Sequence, residues 1–275
     1  MKLDSLTRRS FLSLSLCACC TGKATQSFAA TSPASASDPG LPSILELGTD
    51  PMTRIDDTVW VAQVAPSLWL HSTTHMTGGS MVPANGMIID RPGGSLLIDT
   101  GWTPDQAEAL VRWAKKSLSS PIATAVGTHF HNDRIGGVEI LRKNSIPILA
   151  HPLTCSLAEK LGVPVPEAIA EFNGQSYRLN ADCELFFPGA GHTRDNIVAW
   201  LPQQGVLFGG CLLKSSTSSG LGNIADAVVP DWADSIRRIE LQYPDRRMVV
   251  PGHGSIAGDA IAQTLALLAK PPVRR

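Results

Sequence analysis

Three side chains able to bind a metal alternate along GTHFHNDRIGG: His129, His131 and Asp133. Three more stand singly beside Gly or Pro-Gly: His192 in PGAGHTRDN, Cys211 in LFGGCLLK and His253 in VVPGHGS. In a locally extended chain alternate residues share one side, so the H-x-H-x-D trio can converge on one small volume. Imidazole nitrogen, carboxylate oxygen and thiolate sulfur are all zinc donors, and a catalytic site uses three of them plus an open position for water. Six donors divide into three and three, with His129, His131 and His192 on one zinc and Asp133, Cys211 and His253 on the other. Two adjacent zincs would activate water and stabilise a leaving group, which is hydrolytic chemistry.

Taken singly, each residue is ordinary: a histidine near a turn is commonly a surface or satisfied group, and a lone cysteine a small core residue. The joint pattern argues otherwise, because each segment follows a strand-like stretch, namely ATAVGT, LFFPGAG, GVLFGG and MVVPG. His71, His75 and His151 fall outside it. His75 lies in a Gly-rich stretch that could border a site, and His151 ends a strand before Pro152.

The elements that must position these ligands are legible as runs of apolar residues. Strands are expected at 58–70, 87–90 and 95–98, followed by a helix from Pro104. Thr103 is its N-cap, Gln106 completes a capping box, and Ala107, Leu110, Val111 and Ala114 form its apolar stripe. A strand at 122–126, a short helix near 137–143, a strand at 147–150 and a helix around 153–161 complete the first half. The second half has strands at 184–187, 197–201, 206–208 and 248–250, with helices near 231–242 and 259–269. Strands between outer helices would bury the apolar runs on both sides, an α/β arrangement.

These residues resemble the metallo-β-lactamases, in the subclass that pairs a three-histidine site with an Asp-Cys-His site. The resemblance runs from about Asp57 to the end through LLIDTGW, GTHFHNDRIGG, FFPGAGHTRDNIVAWLP, FGGCLLK, LGNIADA and VVPGHG in family order. Many other superfamily hydrolases read H-x-H-x-D-H, whereas Arg134 follows the aspartate here, and many use a bridging aspartate where this chain has Cys211. The resemblance implies an αββα sandwich of two similar halves with the metals at one edge. It also implies two zinc ions per chain and hydrolysis of the β-lactam amide of penicillins, cephalosporins and carbapenems by a zinc-bound hydroxide, without a covalent acyl-enzyme, conferring antibiotic resistance. Asp133 and Asn223 would be catalytic, with Asn223 near the substrate carbonyl and Lys214 anchoring the substrate carboxylate. Asn223 beside glycine is also common turn chemistry, and Lys214 could be a solvated surface lysine.

Asp99 would orient a metal-bound histidine or cap a turn, and Arg134 would balance charge beneath the Asp-Cys-His zinc or form a structural ion pair. The segment 71–86 matches a mobile loop that closes over substrate, and it could equally be a hairpin with Met76 and Met81 in the core. It carries no aromatic at its tip. Ser215–Gly222 is the other substrate loop. Two other functions fit the same residues: a hydrolase of lactones or thioesters, and an exported zinc-binding protein without efficient catalysis.

The chain has 275 residues, 43% of them hydrophobic, and a formal net charge of −1, enough for one domain and without the basic excess of a nucleic-acid binder. Residues 1–29 read as an export signal: Lys2, Arg8 and Arg9 precede an apolar stretch too short to span a membrane, and Arg-Arg-Ser-Phe-Leu resembles a twin-arginine address. Ser27 and Ala29 suit cleavage after Ala29, while Leu16–Cys19 loosely resembles a lipoprotein site. Residues 30–45 form a flexible Ala/Ser/Pro-rich lead-in, and 46–275 the metallo-β-lactamase domain. A soluble periplasmic monomer acting on a small β-lactam, with no nucleic-acid partner and no stable membrane span, is expected. Three of the six cysteines lie in the signal, leaving Cys155 and Cys183 beside Cys211, read as two separate buried thiols although a disulfide is open to them.

Overall fold

Alternation of apolar side chains decides which face of each strand meets which layer. The computed structural model describes residues 52–172 and 175–270, so the expected signal and lead-in lie outside the described residues. β1 (Thr53–Asp56), β2 (Val59–Ala65), β3 (Leu68–Thr77), β4 (Ser80–Ile89) and β5 (Ser95–Ile98) pair antiparallel in chain order. Then α1 (Pro104–Ser117), β6 (Ile122–Gly127), α2 (Asn132–Ile135), α3 (Val138–Lys143), β7 (Ile148–Ala150), α4 (Pro152–Leu161) and β8 (Glu167–Ala168) extend the same sheet with parallel strands. The second sheet is β9 (Ser176–Arg178), β10 (Glu184–Phe186), β11 (Val198–Leu201) and β12 (Val206–Gly210), with β13 (Met248–Pro251) added parallel after α5 (Val229–Gln242) and before α6 (Ala260–Leu268).

Successive side chains of a strand point to opposite faces, and both faces are used here. Leu96, Ile98, Met87 and Ile89 pack between the sheets against Leu185, Ala199, Val206 and Phe208. Leu97 and Ile88, one residue out of phase, meet Leu110 and Ala114 of α1 and Leu141 of α3. Leu207 and Val198 likewise face Trp232 and Ile236 of α5 and Ile261 of α6. The result is the expected αββα sandwich. Its halves share a plan of antiparallel strands finished by parallel ones, but they differ in size, with eight strands against five. Among the described residues no helix is long and apolar enough to cross a membrane.

The segment expected as one strand at 58–70 is two, because the chain reverses at Pro66–Ser67 with Ser67 at φ 58°. Single apolar runs on either side of a two-residue turn leave the same pattern as one long strand. α2 and the short strands β1, β8 and β9 were not anticipated, being too brief to show a period.

Thr103 caps α1 by accepting from the Gln106 backbone, as expected. Gln106 does not close the capping box on Thr103. Its Oε1 accepts from Trp102 N at 2.9 Å, and its Nε2 donates to Thr74 O at 2.8 Å and to Thr58 Oγ1 at 3.0 Å, tying α1 to the β3 arm beside the site. Gln106→Ala would leave those buried groups unpaired and is expected to cost about 1–3 kcal/mol, more than the ~1 kcal/mol of Thr103→Ala. Denaturant unfolding of both variants checks the order; equal losses would restore the simple capping box.

Candidate metal centre

All six candidate ligands gather at one edge of the sandwich, five on turns beyond strand ends and Asp133 in the first turn of α2. His129 and His131 follow β6, Cys211 follows β12, His253 follows β13, and His192 sits between β10 and β11. The trio at 129–133 does not converge by strand alternation. His131 keeps an extended backbone (φ −74°, ψ 153°) as the N-cap of α2, and Asp133 already lies in that helix. A turn of helix brings the carboxylate round to the same volume by a different route.

Asp133, Cys211 and His253 meet tightly. Cys211 Sγ lies 3.4 Å from Asp133 Oδ2 and 3.1 Å from His253 Nε2, which is 3.2 Å from the same carboxylate oxygen. Donors around a tetrahedral zinc at about 2.0–2.3 Å are separated by roughly 3.4 Å, so the trio fits that ion. Gly252 makes the approach possible: a Cβ there would stand 2.6 Å from Cys211 N and 2.9 Å from its sulfur. His253 Nδ1 donates to Pro83 O at 2.6 Å, which leaves Nε2 as the atom facing the cluster.

The three histidines pack ring against ring, with centroids 4.8 Å (129–131), 5.0 Å (129–192) and 5.2 Å (131–192) apart. His129 Nε2 lies 3.1 Å from His131 Nδ1. His131 Nε2 donates to Asp226 Oδ2 at 2.9 Å, so its Nδ1 presents a lone pair to the neighbouring ring. A proton or a cation is needed between two such nitrogens, and that chemistry fits a metal. The donor atoms of His129, His192 and Cys211 also lie within 4.8 Å of one another, as do those of His129, His131 and Asp133, so the six form one continuous patch.

The two clusters differ electrostatically. Burial holds His129 and His192 well below the ordinary imidazole pKa, keeping them neutral. Burial opposes ionisation of Asp133, but Arg134 beside it and the hydrogen bond from His253 hold its carboxyl well below the usual range. Burial also opposes charge on His253, yet the negative charge of Cys211 and its hydrogen bonds to Asp133 and Cys211 raise it to about 9.

Arg134 is fully buried and bridges Asp133 at 2.7 Å and Asp99 at 3.0 Å, while donating to Asn85 O and Gly252 O. Of the two roles expected of it, the structure has the ion pair, formed with Asp133 of the cluster and with Asp99. Asp99 makes no hydrogen bond to a candidate ligand. It accepts from Thr128 N and Oγ1 and pairs with Arg134, so it fixes the turn that carries His129.

A cavity of about 520 Å³ opens on these donors, lined by His131, Asp133, His192 and His253 together with Lys214 and Asn223. Lys214 is the only lysine or arginine lining it among the described residues. The side chain is buried, its ammonium stands 5.2 Å from the Trp232 ring centroid, and burial lowers its pKa, so it is no solvated surface lysine. Asn223 Oδ1 accepts from Ala225 N at 3.1 Å in a local turn, leaving its amide NH2 as the group that can donate to a substrate. Trp102, Val82, Leu161 and Leu221 make the walls largely apolar.

The segment 71–86 is a regular hairpin, paired from Leu68↔Ile89 to Thr77↔Ser80 around Gly78–Gly79. Met76 and Met81 face each other near its tip and are exposed rather than in the core. Sequence reasoning missed Asp226, which orients His131, and Asn85, whose amide holds Pro251 O and Gly254 O on either side of His253. Asp226 stands in LGNIADA but only three-dimensional folding brings it to His131, and Asn85 sits in a strand with no pattern of its own. Cys155 is half-buried, Cys183 buried, and both are free; burial pushes their thiols up to about 11 and about 12.

Because His253 carries a proton up to about pH 9, zinc uptake at the Asp-Cys-His cluster must displace it. Affinity there is expected to rise by about tenfold per pH unit below that value from this proton alone and to level off above it. Calorimetric titration in two buffers of different ionisation enthalpy reads the released proton; pH-independent uptake without proton release would contradict this electrostatic picture.

Residues 80–253 match the family model described as the metallo-beta-lactamase superfamily. The chain is 37% identical over 213 residues to the metallo-beta-lactamase type 2 of Bacillus cereus, covering 77% of this chain and 83% of that protein. It is 34% identical over 216 residues to the metallo-beta-lactamase type 2 of Bacteroides fragilis, covering 76% and 85%. Among solved structures it is similar to the mono-zinc form of the metallo-beta-lactamase FIM-1 from Pseudomonas aeruginosa, with TM-score 0.74, 34% identity and coverage of 78% and 96%.

Proposed function

The chain belongs to the metallo-beta-lactamase superfamily, whose metallo-beta-lactamases are zinc-dependent, and from that premise we propose that it is an exported, periplasmic, monomeric β-lactamase. It opens the four-membered amide of penicillins, cephalosporins and carbapenems, and it holds two zinc ions. The observation that carries this reading is a continuous patch of six metal donors, His129, His131, Asp133, His192, Cys211 and His253, opening on one cavity beside the buried side chain of Lys214.

His129, His131 and His192 would hold one zinc ion, with Asp226 fixing the tautomer of His131, and Asp133, Cys211 and His253 would hold the other. Bound there, zinc would supply ionised water near neutral pH and an electrophile for the departing nitrogen. Lys214 binds the carboxylate that bicyclic β-lactams carry next to the ring nitrogen, which sets that nitrogen on the Asp-Cys-His side. The Asn223 amide donates to the oxygen that becomes negative as the carbonyl is attacked. Asp133 Oδ1, free of hydrogen bonds among the described residues, would accept a hydrogen bond from the attacking water and orient it, and the proton of that water passes to the ring nitrogen as the ring opens. No side chain becomes acylated.

Hydrolysis of a carbapenem and a cephalosporin by the purified mature protein is expected, and is lost on chelation and in Cys211→Ala. Lys214→Ala removes a charge-assisted contact of about 1.5–3 kcal/mol and is expected to raise KM by about ten- to a hundredfold with a smaller change in kcat. Full metal loading without turnover of either compound would overturn the proposal.

A further inference from the structure

We infer that His75, a residue outside both ligand sets, is a positioning residue for the Asp133–Cys211–His253 cluster, acting through Trp102 and the β3–β4 hairpin; this rests on the two-site reading above. The hairpin is firmly held at its base, where Gln106 Nε2 donates to Thr74 O and Asn85 N donates to Gly252 O at 2.8 Å. Beyond those points, among the described residues, no hydrogen bond ties residues 76–82 to anything but the hairpin's own ladder. Two contacts hold the arm in between. Pro83 O receives the Nδ1–H of His253 at 2.6 Å. The His75 ring stacks on Trp102, with centroids 5.5 Å apart and planes 25° from parallel, and Trp102 lies 6.1 Å from the His253 ring.

These contacts are adjacent in the ladder. His75 pairs with Val82 and Thr74 with Pro83, so the stacking ring and the carbonyl that fixes His253 move as one piece of sheet. The Nδ1–H to Pro83 bond sets the tautomer that turns Nε2 toward Cys211 and Asp133, and partners of this kind typically alter metal affinity by about 10–100-fold when lost outright. His75 itself is exposed, and its face is the part of it that is used. An aromatic stack of this type is worth a fraction of that, so its loss should weaken the second site by roughly three- to tenfold.

The test uses the full mature chain and zinc itself. Zinc is titrated against a chromophoric chelator into wild type, His75→Ala and His75→Phe, and the thiolate-to-metal absorption from Cys211 is recorded after cobalt substitution. His75→Ala is expected to bind metal at the three-histidine cluster as wild type does, to bind it about three- to tenfold more weakly at Asp133–Cys211–His253, the cluster that the thiolate band reports, and to show an altered band. His75→Phe is expected to restore both, since it keeps the ring. Wild-type titration and spectrum in His75→Ala, or a Phe variant as weak as the Ala variant, would overturn the inference. Neither readout involves substrate: a wild-type chain that binds two zincs yet opens no β-lactam refutes the proposed activity and leaves this inference to be decided by the titration.

Discussion

The guanidinium of Arg134 is the interaction on which the site depends. It is completely buried, and an unpaired charge there would be prohibitive, so the fold surrounds it with two carboxylates and two carbonyls drawn from four different segments. Asp99 comes from the end of β5, Asp133 from α2, the Asn85 carbonyl from β4 and the Gly252 carbonyl from the turn after β13. Meeting the needs of one cation thus joins the two sheets at the edge where the ligands gather. It also fixes Asp133 as an anion, which is the form a metal requires.

That arrangement produces two neighbouring environments with opposite character. On the three-histidine side burial holds His129 and His192 neutral, so an ion bound there would keep most of its charge for polarising water. The other side presents the Asp133 carboxylate and the Cys211 sulfur, with Arg134 behind them offsetting negative charge there. The first suits the generation of a nucleophile, and the second suits reception of a nitrogen leaving with negative charge. The largely apolar walls formed by Trp102, Val82 and Leu221 would limit water around both and strengthen the contact proposed between Lys214 and a substrate carboxylate.

Much of this was legible in the amino-acid sequence, for a physical reason: ligand chemistry restricts residue type, and turns after strands restrict position. His129, His131, His192, Asp133, Cys211 and His253 could be picked out because each of the four segments that carry them contains glycine and follows an apolar run. The long helices and buried strands were legible by period, and α1 even by its cap. What escaped was anything fixed by contact rather than by pattern. The convergence of 129–133 was read as strand alternation and is a strand end followed by a helical turn, which four residues cannot announce. Asp226, Asn85 and the Nε2 bonds of Gln106 act across 32 to 169 residues of chain. Asp99 was read as orienting a metal-bound histidine or capping a turn, and it does the second, its carboxylate accepting from Thr128 and pairing with Arg134.

The most direct test of the account is anomalous diffraction at the zinc edge from crystals of the zinc-loaded protein. Two peaks are expected, one enclosed by His129, His131 and His192 and one by Asp133, Cys211 and His253. A single peak at full zinc saturation, or a second one away from Cys211, would contradict the division of labour on which the proposed hydrolysis depends.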